Sequence, residues 1–234
     1  MTSTAGAAFV TGGSSGLGTA VARHCAAAGW RVAIAGRDTK RLREVAMAAG
    51  GLRNDMQVYS LDVRNSEALE QAIGAFAPTA LICCAAILGR GDVYDTLTPE
   101  LFREVQDINV GGTMNACRAA MRLWHRTKMP GDIVNVSSLA GIRGQQKFTG
   151  LAAYAASKHA IIGLTEALAL EGRSLDIRVN AIAPGAMLTP MSLSLDLSPT
   201  TRPEAVVPTI EFLLDRSKSG ALTGSTIEIH CNEP

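Results

Sequence analysis

Tyr154 and Lys158 stand four residues apart in the run Tyr154-Ala155-Ala156-Ser157-Lys158. Side chains at that spacing share one face of a helix, so a phenol and an ammonium can point into one cleft. An ammonium beside a tyrosine favours the phenolate and draws its pKa down from about 10 towards neutrality. Such a phenol can protonate a carbonyl oxygen during reduction, or take the proton of an alcohol during oxidation. A second run, Thr11-Gly12-Gly13-Ser14-Ser15-Gly16-Leu17-Gly18, has the composition of a phosphate cradle. Glycines let the main chain turn tightly and approach a ligand, and a helix N-terminus offers free N–H groups and a partial positive charge. No Gly-Lys-Ser/Thr follows, so this is not the loop of a P-loop kinase.

These residues need elements to hold them, and the chain supplies a repeating strand, turn and helix. Apolar strands are expected at Ala7–Val10, Arg31–Ala35, Gln57–Leu61, Leu81–Ala85, Ile133–Val136, Ile177–Ile182 and Thr226–Ile229. Helical stretches fall between them: Gly16–Ala28 stopped by Gly29, Asp38–Ala49 stopped by Gly50-Gly51, and Ser66–Phe76. Two segments within Pro99–His125 and a long helix over Ala152–Glu171 complete the set. About seven short apolar strands alternating with helices imply an α/β fold, a doubly wound, mainly parallel Rossmann-like sheet with helices on both faces. No linker or internal repeat divides the 234 residues, so 1–234 is read as one domain.

In this frame the glycine run lies after the first strand and opens the first helix, the context a dinucleotide site requires. The second strand ends at Gly36-Arg37, where an NAD site would place a carboxylate for the ribose 2′-hydroxyl. A guanidinium there can pair with a 2′-phosphate, which points to NADP(H) over NAD(H). Asp38 is placed to cap the second helix. Asp62-Val63 follows the third strand and can meet an adenine edge, or Asp62 can cap the helix that begins near Ser66.

Composition narrows the classes. The formal net charge is +1 with no basic run, so nothing points to nucleic acid. The five cysteines fit no metal-ligand spacing and read as reduced thiols, and the four histidines are scattered. No apolar stretch approaches the ~18 residues of a membrane span. A soluble cytoplasmic protein without metal is expected.

The ordered set of Thr-Gly-x-x-x-Gly-x-Gly, Asn109, a serine after a strand, Tyr154-x-x-x-Lys158 and Pro184-Gly185 resembles the short-chain dehydrogenase/reductase family, in its compact single-domain branch. The resemblance runs from Ala8 to about Ile229. It implies that Tyr154 is the proton donor to the substrate oxygen, and that Lys158 lowers the pKa of Tyr154 and holds the nicotinamide ribose. Ser138, rather than Ser137, would hold the substrate oxygen, because it directly precedes the small-residue turn Leu139-Ala140-Gly141. Asn109 would help hold a proton-relay water near the lysine. Pro184, Gly185 and Thr189 would contact the nicotinamide carboxamide and a phosphate, and Gly12, Ser14, Ser15, Gly16, Leu17 and Gly18 the pyrophosphate. The implied reaction is NADP(H)-dependent interconversion of a carbonyl and a secondary alcohol, on a 3-oxoacyl compound or a ketone. A dinucleotide-binding regulator without turnover, and lyase or epimerase chemistry on the same fold, are the alternatives.

The sequence departs from the family in three places. Cys83-Cys84-Ala85-Ala86 stands where Asn-Asn-Ala-Gly is usual, which leaves Cys84, Ala85 and Ala86 to face the adenosine side. The lid segment from Thr189 to Arg202 is short, with Pro203-Glu204 already opening the next helix, while the loop Arg143–Gly150 is extended and is expected to line the pocket. The chain closes on Ile229-His230-Cys231-Asn232-Glu233-Pro234, without the usual Asp-Gly-Gly. The long helix carries apolar residues on more than one face, Ile161 and Leu168 but also Ile162 and Leu170, so a homodimer or homotetramer is expected.

Overall fold

The computed structural model describes residues 6–49, 56–145, 147–195 and 198–231. Three sequence readings fall outside them: the Gly50-Gly51 helix stop, Gln146 of the extended loop, and the tail beyond Cys231.

Seven strands form one parallel sheet: β1 (Ala7–Thr11), β2 (Arg31–Gly36), β3 (Gln57–Ser60), β4 (Ala80–Cys83), β5 (Gly131–Val136), β6 (Ile177–Pro184) and β7 (Thr226–Ile229). Their order across the sheet is β3-β2-β1-β4-β5-β6-β7. The strand order reverses between β1 and β4, and a crevice opens there beyond the carboxyl ends of the strands.

The alternation of strand side chains divides the core into two layers. Phe9, Ala33, Leu81, Ile133 and Val179 point to one face, where α3 (Ser66–Phe76), α5 (Gly112–Thr127) and α6 (Ala152–Gly172) bury Ile73, Trp124 and Leu168 against them. Val10, Ile34, Ile82, Val134 and Ile182 point to the other. There α1 (Gly16–Ala27), α2 (Thr39–Ala49) and α8 (Val207–Leu214) contribute Val21, Leu42 and Ile210. Small residues let these layers close tightly: a Cβ on Gly131 would stand 2.2 Å from the Trp124 ring.

Four local readings are sharpened. Asp38 caps α2 by accepting from the Arg41 N–H (3.0 Å). The cap of α3 is Asn65, which accepts from Ala68 N–H (3.0 Å), and not Asp62, whose carboxylate is held by Arg64. Strand β4 ends at Cys83, two residues early, because Cys84 and Ala85 turn to meet Thr11 at the end of β1. The two helical segments of Pro99–His125 are α4 (Pro99–Gln106) and α5, joined by a π-helical turn at Asp107–Gly111. The remaining helices, α7 (Pro190–Leu193) and α9 (Arg216–Ser219), are short. Among the described residues no helix is long and apolar enough to cross a membrane, and no group of three metal-ligating side chains is gathered.

Candidate active site

A cavity of about 590 Å³ lies along the carboxyl edge of the sheet, from Arg37 and Asp62 at one end to Tyr154 and Phe148 at the other. Its floor is the glycine turn. Gly12 and Gly16 adopt φ of 67° and 52°, in the left-handed region that favours glycine. A Cβ on Gly18 would lie 2.3 Å from Gly12 O, and one on Gly12 would lie 2.7 Å from Ala85 N. A Cβ on Gly16 would reach to 3.3 Å from Thr189 Cγ2, so turn and lid helix face each other across a gap that side chains would fill. Ser15 precedes α1 without a side-chain cap, and Ser14 to Gly18 all line the cavity, which leaves the α1 N-terminus to a ligand. This cradle fits a pyrophosphate.

At the far end of the floor Arg37 is exposed on the cavity rim, and no described side chain accepts from its guanidinium. Asp62 is held below the usual carboxylate range, chiefly by its hydrogen bonds with Arg64 (2.7 Å at the shortest). Val63, Cys84, Ala85 and Ala86 also line the cavity, Cys84 close to Lys158, as do Pro184, Gly185 and Thr189. Thr189 additionally caps α7, accepting from Ser192 N–H.

The reacting end is built from β5 and α6. After β5 the chain turns at Ser137-Ser138 into a single 3-10 turn, Leu139–Gly141. Ser137 is buried and donates to Lys158 O (2.8 Å), and a Cβ on Gly141 would lie 2.6 Å from that same carbonyl. The turn is thereby pinned to α6, and Ser138 is left facing the cavity within hydrogen-bonding reach of the Tyr154 hydroxyl. Lys158, 4% exposed, donates from Nζ to Val136 O (2.8 Å) and lies 5.5 Å from the centre of the Tyr154 ring.

The electrostatics differ from the depressed phenol that the spacing alone implies. Burial pushes the Tyr154 phenol above 10, and the Ser138 hydrogen bond only partly offsets this. Burial lowers the Lys158 amine to about 8, against the opposing influence of Cys84 and Cys83. The cause is geometric: Lys158 gives its hydrogen bond to Val136 O and not to the phenol.

Asn109 sits in the π turn, 1% exposed. Its amide oxygen accepts from Ile87 N–H (2.8 Å), and its nitrogen donates to Ile87 O (2.9 Å) and Ser157 Oγ (3.0 Å). Ser157 in turn donates to Tyr154 O (2.7 Å). The side chain of Asn109 therefore ties a cavity-wall residue to the helix that carries Tyr154 and Lys158. Ser157, which no motif marks, makes the link, and its place between Tyr154 and Lys158 is its one signal in the sequence. The extended loop supplies Gln145 and Phe148 to the cavity, as expected, and the lid supplies Met187, Met191 and Leu195, which no motif marks.

Comparison with known proteins agrees with this arrangement. Residues 6–198 match the profile of the family described as short chain dehydrogenase. The human 3-oxoacyl-[acyl-carrier-protein] reductase is 36% identical over 193 residues, covering 80% of this chain and 77% of that protein. The acetoacetyl-CoA reductase of Rhizobium meliloti (strain 1021) is 33% identical over 241 residues, covering 94% and 95%. Among solved structures, a short-chain dehydrogenase/reductase from Mycobacterium marinum superposes with a TM-score of 0.87 at 30% identity, covering 96% and 94%. A single-residue variant of the actinorhodin polyketide ketoreductase, solved with NADPH, gives 0.86 at 26% identity, covering 97% and 96%. Glycine turn, serine, tyrosine and lysine occur here in one cavity on one parallel sheet, and the chain belongs to the short-chain dehydrogenase/reductase family.

Proposed function

We propose that this protein, folded as one domain, interconverts a carbonyl compound and a secondary alcohol with NADP(H) in preference to NAD(H). The observation that carries the reading is the meeting of Tyr154, Ser138 and Lys158 at one end of a cavity whose floor is a phosphate cradle. In this reading Gly12, Ser14, Ser15, Gly16, Leu17 and Gly18 hold the pyrophosphate, and Arg37 pairs with the 2′-phosphate. Asp62, Val63, Cys84, Ala85 and Ala86 flank the adenosine, and Pro184, Gly185 and Thr189 the carboxamide. When bound, the nicotinamide supplies or takes the hydride.

The chain's own groups do the rest. Ser138 Oγ and the Tyr154 hydroxyl fix the substrate oxygen from two directions, which stabilises charge that develops there. Tyr154 gives its proton to that oxygen in reduction and takes it back in oxidation. Lys158 holds positive charge beneath the phenol and meets the ribose. Asn109 positions Ile87 and Ser157 with its side chain, and a relay water beside Lys158 is left to its main-chain carbonyl. The names of the relatives favour a 3-oxoacyl compound or a related ketone as substrate. The free thiols fit the reducing cytoplasm, and the outer face of α6, where Leu170 is exposed, fits a homodimer or homotetramer.

The test is a carbonyl panel followed by NADPH absorbance, with wild type and Tyr154→Phe side by side. Tyr154→Phe should lose at least ~100-fold in kcat while still binding NADPH, as loss of a general acid requires. Unchanged turnover would refute the mechanism. Product formed with no change in absorbance would favour lyase or epimerase chemistry instead.

A further inference from the structure

The reacting end of the cavity carries information about what stands beside the carbonyl. Leu88, Phe148, Leu151, Met187, Met191 and Leu195 wall it with hydrocarbon and thioether groups. The charged groups lining the cavity, among the described residues, are Arg37 and Asp62 at the adenosine end and Lys158 beneath Tyr154. The Lys158 ammonium gives one N–H to Val136 O, and in the proposed reaction its others serve the phenol and the ribose.

Neutral donors at this end are few, and most are committed. The Gln145 amide gives one N–H to Glu228 (2.9 Å), a carboxylate that a second anion would have to approach, and the Ser192 hydroxyl gives its one proton to Met187 O. Ser138 and Tyr154 both face the oxygen that reacts, so what remains for a neighbouring group is at most a neutral amide N–H of Gln145 beside an anion, and no cation. A carboxylate next to the ketone would enter this end without a cationic partner. An unpaired anion in an apolar site costs several kcal/mol, whereas an ester or thioester at the same place costs far less. Met187 and Met191 add walls that adapt to different hydrocarbon shapes, and Phe148, half in solvent at the mouth, lets a long tail leave the cavity.

Resting on the proposed carbonyl reduction, we infer that the site selects ketones that are uncharged beside the carbonyl and flanked by hydrocarbon, and that it excludes free keto acids. Esters, thioesters and alicyclic ketones fall inside this class. The wall residues Phe148 and Met191 set the selectivity by giving no cation where a carboxylate would lie.

The experiment uses matched pairs at pH 7.5, each keto acid against its methyl or ethyl ester, in short, long-chain and cyclic series, with NADPH. For every pair that is turned over, kcat/KM for the ester should exceed that for the acid by about 100-fold or more. The product ester, and not the product acid, should bind the Tyr154→Phe variant in calorimetry. Phe148→Arg, at an exposed position, should lower the ratio about tenfold by supplying the missing cation. Acid and ester turned over within threefold of each other, with Tyr154→Phe inactive on both, would overturn the selectivity and leave the mechanism standing. No turnover in any series would count against carbonyl reduction itself.

Discussion

The Lys158 side chain is 4% exposed, and burial lowers its amine from 10.5 to about 8. A folded-state pKa below the unfolded one means that the fold opposes the charged form. Stability is therefore withheld in full below about pH 8, is recovered between pH 8 and 10.5, and is no longer affected above that. The shift corresponds to a cost on the order of 3 kcal/mol at neutral pH, offset in part by the bond to Val136 O, which is worth about 1 kcal/mol. Lys158→Met should accordingly unfold at higher urea than wild type at pH 7 in the absence of cofactor, while losing activity. The gap should narrow as the pH approaches 10. A variant less stable than wild type at pH 7 would show that the amine is not held against its own solvation. Tyr154 is pushed the other way, above 10, so in the protein alone the two groups are poised as phenol and strained ammonium. Such a site is costly to the fold and useful to the reaction.

Strand ends carry most of the binding surface, and they show what a sequence can and cannot disclose. Strands and long helices were legible because both faces of the sheet are covered, so runs such as Ala7–Val10 and Ile177–Ile182 are buried along their whole length. The glycine turn, Ser138, Tyr154 and Lys158 were legible because each has a fixed place at the end of β1, the end of β5 or the start of α6. The early end of β4 was not, since it is set by the cross-strand bond from Cys84 N–H to Thr11 O. Nor was the capping role of Asn65, which competed with Asp62 three residues earlier, and was decided by Arg64 taking the carboxylate. The lid and loop residues are placed by irregular backbone that no periodicity encodes. The end of β2 supplies the prediction at this scale. Arg37 lies on the cavity rim, and if it pairs with a 2′-phosphate as proposed, Arg37→Ala should weaken NADPH binding by about 10-fold or more, the loss of a charge-assisted bond, and leave NADH within about twofold. Equal losses for both cofactors, measured by fluorescence titration, would remove Arg37 from the 2′-phosphate.

Across the whole molecule the two edges of the sheet do different work. The cavity occupies the carboxyl ends of the strands, where Lys158 is held against its own solvation at a cost in stability. At the amino ends of β5 and β6 an ion network does the reverse. Asp132, 14% exposed, accepts from Arg178 Nε (2.7 Å) and Arg216 Nε (3.0 Å). Arg178 also donates to Ser219 O and Leu213 O, and Arg216 to Gly131 O and Asp176, so α8 and α9 are fastened to the sheet through these guanidinium groups. Replacing Asp132 by Ala leaves Arg178, 9% exposed, without its carboxylate, and breaking a buried pair in this way costs about 3–5 kcal/mol. Asp132→Asn keeps an oxygen for one guanidinium and should cost less. Because the network lies at the edge opposite Tyr154, the protein that remains folded should keep its kcat. Urea unfolding and steady-state rates on the same samples separate the two effects. A stability loss under about 1 kcal/mol would remove the network's stabilising role, and a fall in kcat at full folding would show that the edges are not independent.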